Sequence, residues 1–164
     1  MGLPLDPEVA MHRGPHPHRS GSISLRPVEA DDLPVLFEHQ RDPVACTMAA
    51  FPSRERNDFM AHWDRIVTNP FVTSRTVLLG DAVVGNMVAF DYEGRREVGY
   101  WIGRQWWGRG VATRALVEFL TVETTRPIYA GVAPNNAGSI RVLEKCGFAR
   151  CGEQDGHIDL VLTG

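Results

Sequence analysis

The spacing of apolar residues changes period several times along the chain. ISLRPV (residues 23–28) alternates apolar and polar positions, as a strand with one buried face does. EADDLPVLFEHQ follows and carries its acids at the start, where the positive end of a helix favours them. A helix is predicted there, broken at Pro43 in RDPVACTMAAF. Ser53 is the predicted cap of a second helix, on which Phe59, Trp63, Ile66 and Val67 recur at helical spacing until Asn69-Pro70 ends it. The period then becomes two. SRTVLLG, AVVGNMVAFDY and REVGYWIG read as strands, with Gly80-Asp81 turning the first hairpin and Glu93-Gly94 the second. Val111 to about Thr125 returns to helical spacing, with Leu116, Phe119 and Leu120 on one face. RPIYAGVA is a short apolar strand, after which Asn135 or Asn136 caps a helix running to Cys146. Gly147 is the predicted left-handed cap, with Phe148 placed to pack back on the helix end. FARCGEQDGHIDLVL closes the chain as a hairpin turning near Asp155-Gly156.

The predicted order is therefore β-α-α-β-β-β-α-β-α-β-β. It describes one α/β domain with a mixed, mostly antiparallel sheet and helices on both faces. No internal repeat is present. Residues 1–20 are rich in Pro, Gly, His and Arg, lack apolar periodicity and read as a flexible arm; residues 21–164 form the single domain. His12, His16 and His18 lie in that arm without a second cluster to complete a metal site, so no metal is expected.

Composition narrows the class. At 43% apolar and 23% charged residues the chain is an ordinary globular protein. No apolar run approaches the ~20 residues of a membrane helix, and the start has no signal-like apolar segment. The expectation is a cytoplasmic protein with no membrane partner. A net charge of −3 argues against a nucleic-acid partner. Lys145 is the only lysine among 17 basic residues. Arginine forks well onto carboxylate or phosphate, although coding bias is the plainer source of the excess. Cys46, Cys146 and Cys151 show neither metal-ligand nor redox spacing and read as reduced, structural thiols.

One stretch carries chemistry. Between the strand ending near Ile102 and the helix starting near Gly110 lies Gln105-Trp106-Trp107-Gly108-Arg109-Gly110. A helix N-terminus leaves about four amides without partners, and with the helix dipole these make an anion site. Glycines let a phosphate approach the backbone, and Arg109 adds a charge. The run lacks the Gly-Lys-Ser/Thr ending of a P-loop. It also lacks the third glycine of the dinucleotide fingerprint, since Thr113 stands there. On these residues alone, a plain tight turn and a phosphate seat both stand.

Gln105-x-x-Gly108-x-Gly110, after an apolar strand and before an amphipathic helix, resembles the pyrophosphate loop of the GNAT superfamily of acyl-CoA N-acyltransferases. GYWIG…WWGRGVATRAL and NNAGSIRVLEKCGF are similar to the two signatures of its RimJ/RimL-like branch. The resemblance covers about Ile23 to Leu162. It implies a sheet splayed between REVGYWI and RPIYAGVA, with the pantetheine of acetyl-CoA pairing with backbone at Tyr100, Trp101 and Ile102. It further implies pyrophosphate on the amides of Trp107, Gly108, Arg109, Gly110, Val111 and Ala112. Asn136 would bond the pantetheine and Ser139 would face the thiol end. Asn136 as a plain N-cap, Ser139 as a small first-turn residue and Arg141 with Lys145 as a solvated face are the alternatives from the residues themselves. Of the two tryptophans, one is expected in the core and the other at the cofactor.

Direct acylation needs a proton acceptor for the amine, oxyanion donors and a proton for the thiolate, with no covalent enzyme intermediate. The family's frequent general-acid tyrosine falls at Leu143 and its frequent glutamate base at Gly131, so neither role transfers. In the RimJ/RimL-like branch a serine on that helix serves the thiolate, and Ser139 matches it. Base candidates are Glu97, Asp91, Glu93, Asp155, His157 and Asp159. Glu97 stands first, either holding a water or the amine, or buried as an acid paired with an arginine. The region 41–52 and the last hairpin are expected at the acceptor site, and PVACTMAAF is too apolar to suit a polycation. The resemblance implies an acetyl-CoA-dependent N-acetyltransferase acting on a primary amine, either a protein N-terminus or a small molecule. A homodimer is expected by family analogy only. Leu143 and Gly131 keep a CoA-binding module without turnover as the alternative, and a different nucleotide-binding α/β domain stands behind both.

Overall fold

The computed structural model describes residues 21–164; the expected arm, with its three histidines, lies outside the described residues. The strands are β1 (Ile23–Arg26), β2 (Thr73–Leu79), β3 (Ala82–Tyr92), β4 (Arg95–Ile102), β5 (Ile128–Val132), β6 (Ala149–Gln154) and β7 (His157–Leu162). The helices are α1 (Leu33–Gln40), α2 (Pro43–Ala49), α3 (Arg56–Thr68), α4 (Val111–Val122) and α5 (Ala137–Lys145). Short 3-10 turns at Ala30–Asp32 and Arg104–Trp106 lead into α1 and follow β4.

The sheet runs in the order β1-β2-β3-β4-β5-β7-β6. Every neighbouring pair is antiparallel except β4 and β5, which run parallel. That parallel pair is held by only two rungs, Arg96 opposite Ile128 and Glu97 opposite Tyr129. Beyond them the strands part, which is the splay the family resemblance implies. The expected fold class stands.

Each face of the sheet has its own core. α4 and α5 cover one face, where Phe119, Leu116 and Leu143 pack against Met87, Val98, Ile128 and Leu160. On the other face Leu36, Phe37, Phe59 and Trp63 of α1 and α3 pack over Val83 and Val88. Each fully buried side chain of this kind contributes about 1.5–3 kcal/mol. Val84 is an extra residue in β3, since Val77 pairs with Gly85 and Leu78 with Val83. Gly85 is required by crowding: a Cβ there would collide with the carbonyl of Trp101 and with Ile102.

Helix ends follow local chemistry. Asn136 caps α5 by accepting from the amide of Ser139 at 3.2 Å. At its other end Phe148 N donates to Leu143 O and Gly147 N to Glu144 O, both at 3.1 Å. These two bonds are the Schellman pattern, and Gly147 has φ +94° as that pattern requires. Glu93-Gly94 and Asp155-Gly156 both have positive φ at both residues, as type I′ hairpin turns need.

Three expectations change. Pro43 opens a helix rather than ending one: it stands at the first position of α2, and Asp42 Oδ1 accepts from Val44 N and Ala45 N. Proline at that position loses nothing, because the amide would be unpaired anyway. The α-helix count thus rises by one. The cap of α3 is Glu55, without a side-chain bond, and Ser53 lies outside the helix. α4 stops at Val122 rather than near Thr125, because Glu123 leaves helical geometry to join an ion-pair cluster with Arg96 and Thr73.

Candidate active site

Where β4 and β5 part, the sheet opens into a cleft of about 460 Å³. Its walls come from four elements: Tyr100, Trp101 and Ile102 of β4, the turn and first residues of α4, one face of α5, and Ala45, Met48 and Ala49 of α2. The cleft therefore runs between the two faces of the sheet. It brings together Tyr100, Trp101, Ile102, Trp107, Gly108, Gly110, Val111, Ala112, Asn136 and Ser139. It leaves out three sequence candidates. Gln105 lines a separate groove with His39 and Arg104. Arg109 is exposed, with its guanidinium 5.5 Å from the Trp106 ring centroid. Glu97 lies on β4 before the walls of the cleft begin.

The turn is built from backbone. Gly108 and Gly110 have φ +73° and +71°, and a Cβ at either would touch nothing within 4 Å. Handedness, not space, requires these glycines. Among the described residues, no amide from Gly108 to Thr113 has a protein acceptor; the first that does is Arg114, bonded to Gly110 O. These unpaired amides sit at the positive end of α4, a site suited to an anion. Arg141 and Lys145, one turn apart on α5, line the same cleft and add positive charge.

Both tryptophans line the cleft, so the expected division between core and cofactor is incomplete. Trp106 also packs against the main core. Trp107 is 39% exposed, lines the cleft and donates from Nε1 to Ile102 O at 2.8 Å. That bond ties the glycine turn to the end of β4. Trp101 lies on the opposite face, donating to His39 O at 3.1 Å and meeting Phe51 edge-on at 6.3 Å.

Tyr100 points toward α5, and its hydroxyl donates to the Ser139 carbonyl at 3.4 Å. Burial pushes its phenol up to about 12. The Ser139 hydroxyl and the Asn136 side-chain nitrogen have no protein partner among the described residues, so both can serve a ligand. Glu97 is paired with an arginine, one of the two readings from sequence: Arg95 Nη2 and Nε reach its Oε1 at 2.7 and 3.2 Å. The same arginine reaches Asp159 on β7. Asp155 and His157 are exposed at the tip of the last hairpin.

The region 41–52, expected at the acceptor site, brings Met48 to the cleft because residues 43–49 are helical. Sequence reasoning missed one contact. Arg95 meets Asp159 across 64 positions of chain, a contact without local signature. The thiols are free: Cys46 donates to Gln40 O at 3.0 Å, Cys146 lies 3.7 Å from Thr113 O, and Cys151 is exposed.

Over residues 22–149 the chain matches the family described as acetyltransferase (GNAT) domain. It is 33% identical over 147 residues to an uncharacterized N-acetyltransferase, p20, of Bacillus licheniformis, covering 79% of this chain and 80% of that protein. The fold is shared with aminoglycoside acetyltransferase AAC(6')-Ib in complex with coenzyme A, at TM-score 0.71 and 23% identity over 87% of this chain and 95% of that one. RimJ of Mycobacterium smegmatis in complex with CoA-disulfide gives TM-score 0.69 and 21% identity over 88% and 83% of the two chains. A splayed sheet with unpaired amides at the head of α4, together with these matches, places the chain in the GNAT family of acetyltransferases, and it is an acyltransferase enzyme.

Proposed function

We propose that the chain is an acetyl-CoA-dependent N-acetyltransferase of the RimJ/RimL-like branch, passing acetyl directly to a primary amine on a protein N-terminus or a small molecule. The observation that carries this reading is the run of unpaired amides from Gly108 to Thr113, of which all but Arg109 belong to residues that line the cleft between β4 and β5. The residues fit the donor. The amides and Arg141 with Lys145 suit its phosphates, and the bare backbone of β4 from Tyr100 to Ile102 suits its amide-bearing arm. In this reading Asn136 bonds the arm through its free side-chain nitrogen while its oxygen keeps the cap. Ser139 offers its hydroxyl to the leaving thiolate. Tyr100 holds the Ser139 carbonyl, which steadies the first turn of α5. Glu97 keeps Oε2 clear of Arg95 and orients the amine or a water through it. Ala45, Met48 and Ala49 give the acceptor an apolar wall.

The test follows CoA release from acetyl-CoA with four acceptors: phenethylamine, spermidine, kanamycin and a peptide with a free N-terminus. Turnover with at least one is expected, reduced at least tenfold in Ser139→Ala with acetyl-CoA affinity retained. Binding of acetyl-CoA without release for any acceptor would replace this reading with a CoA-binding module.

A further inference from the structure

On the face opposite α4 and α5, at the point where β4 and β5 part, Arg95 and Glu97 of β4 meet Asp159 of β7. Arg95 holds Glu97 Oε1 through two nitrogens, at 2.7 and 3.2 Å, and Asp159 Oδ2 through one, at 3.2 Å. Its guanidinium lies over the Tyr129 ring, 4.3 Å from the centroid. The arginine thus engages one oxygen of each acid. Asp159 is only 8% exposed, and its second oxygen, Oδ1, has no protein donor among the described residues. The buried side-chain atoms without a partner among the described residues are His39 Nδ1, Arg96 Nε and Trp106 Nε1; Asp159 Oδ1 is not one of them, so this oxygen keeps contact with solvent and is open to a ligand.

The neighbour of that free oxygen is a residue without a side chain. β5 and β7 pair so that Gly131 stands opposite Asp159. A Cβ built on Gly131 would lie 3.7 Å from Asp159 Oδ1. Gly131 is exposed, and it sits two residues past Tyr129, on the length of β5 that has left β4. The glycine leaves the approach to Oδ1 uncovered, past the last β4–β5 rung and on the face that carries Trp101 and α1; like Glu97, Gly131 and Asp159 lie outside the lining of the 460 Å³ cleft.

We infer that Asp159 is the proton-accepting residue of the acyl transfer, an assignment that rests on the function proposed above. Arg95 fixes the carboxylate through Oδ2, and Oδ1 takes one proton from the acceptor's ammonium across the space Gly131 leaves open. The freed nitrogen pair forms the C–N bond to the acyl carbon. The C–S bond breaks and its electron pair leaves on sulfur. The nitrogen's second proton passes to the thiolate at the Ser139 hydroxyl, and Asp159 returns its proton to water. The sum is ammonium plus thioester giving amide, thiol and one released proton. Glu97 positions that arginine through Oε1, while its Oε2 stays free to orient the amine or a water.

The experiment compares wild type with Asp159→Asn, Gly131→Val and the double variant Asp159→Asn with Gly131→Asp. Each is measured for CoA release with the best of the four acceptors, for acetyl-CoA binding by calorimetry and for Tm. Asp159→Asn should lower kcat at least tenfold with acetyl-CoA Kd within twofold. Gly131→Val sets apolar carbon against Oδ1 and should lower kcat similarly, with a Tm loss of a few degrees for shutting that oxygen from water and acetyl-CoA Kd within twofold. In the double variant a carboxylate from the neighbouring strand reaches the same space, and at least a threefold recovery over Asp159→Asn is expected. Recovery of kcat while Tm stays at the Asp159→Asn value separates a proton acceptor from a restored ion pair with Arg95, which would raise Tm as well. A kcat within twofold of wild type in either single variant, or no recovery in the double variant, overturns the assignment. A wild-type chain that binds acetyl-CoA yet acetylates none of the acceptors overturns the enzyme reading itself, a result distinct from these.

Discussion

The glycine turn makes a prediction in which stability and binding move apart. Gly108 and Gly110 are left-handed, with open space where a Cβ would go. Any side chain there costs only the left-handed backbone, ~1–2 kcal/mol for alanine. For a domain of this size that is a fall in Tm of ~2–8 °C. Aspartate costs less, because it tolerates left-handed geometry and its charge returns ~0.3–1 kcal/mol at a helix N-terminus. Binding should follow the opposite order. A methyl group in open space leaves the amides free. A carboxylate about 5 Å from a doubly charged pyrophosphate, at an effective dielectric of about 40–80, costs ~2–3 kcal/mol, or roughly 30–150-fold in Kd. Acetyl-CoA calorimetry and thermal melts on Gly108→Ala, Gly108→Asp, Gly110→Ala and Gly110→Asp test this, and added salt should shrink the aspartate penalty. Asp variants that bind within twofold of wild type would refute the phosphate seat. Ala variants that lose as much affinity as the Asp variants would refute the electrostatic argument and leave backbone shape as the cause.

Two further outcomes follow from charges that position the site. Burial pushes the Glu123 carboxyl up, but bonds from Arg96, Thr125 and Thr73 outweigh it and hold it at about 2, below the ordinary 4.5. A depressed carboxylate stabilises the fold above pH 4.5, and that contribution of about 3 kcal/mol is lost as pH falls toward 2. Urea melts at pH 7, 4.5 and 3 should show this loss. Glu123→Gln, which leaves Arg96 buried without its partner at 2.7 Å, should remove about 3 kcal/mol at pH 7 and flatten the acid limb. Asp42 caps α2 and pairs with Arg104 at 2.9 Å. Asp42→Ala should loosen the wall formed by Ala45 and Met48, raising acceptor KM several-fold while acetyl-CoA KM stays within twofold.

The two halves of the site differed in how legible they were. The donor side is written in neighbouring residues. A strand, a turn with two left-handed glycines and a helix start lie within Gly99–Leu116, and Asn136 and Ser139 are three apart on one helix end. Local rules for turns and caps are enough to place them. Gln105 belongs to the same motif, yet the 3-10 turn Arg104–Trp106 carries it to another groove. The proposed acceptor side depends on contacts between distant segments. HIDLVL offers Asp159 as one of six base candidates, with no local sign that it is buried and held by Arg95. Nothing in REVGYWI announces that Arg95 will reach across β5. Pro43 was misleading for a different reason, since proline ends a helix in its interior and begins one at its first turn. Only Asp42 before it decides between these, and its capping role is visible once the bonds to Val44 and Ala45 are drawn.

The sheet itself explains why these halves meet where they do. β4 is paired with β3 along eight residues, and β5 with β7 along five, but β4 and β5 share only two rungs. Past Glu97 and Tyr129 the strands diverge, each half-sheet following its own twist. The backbone groups of β4 beyond Glu97 therefore have no strand partner on the side of β5. Such a parting strand pair needs a tie at its base. The Arg95 guanidinium supplies one, since it is rooted in β4, stacks on Tyr129 of β5 and reaches Asp159 of β7. The residue best placed to hold the half-sheets together is thus the one that fixes the free carboxylate beside the opening. This coupling is why the Gly131→Val variant matters. It covers Asp159 Oδ1 while keeping Arg95, Tyr129 and Asp159 themselves, so a loss of turnover with an unchanged acetyl-CoA Kd and a cooperative melt is assigned to the oxygen and not to the sheet coming apart.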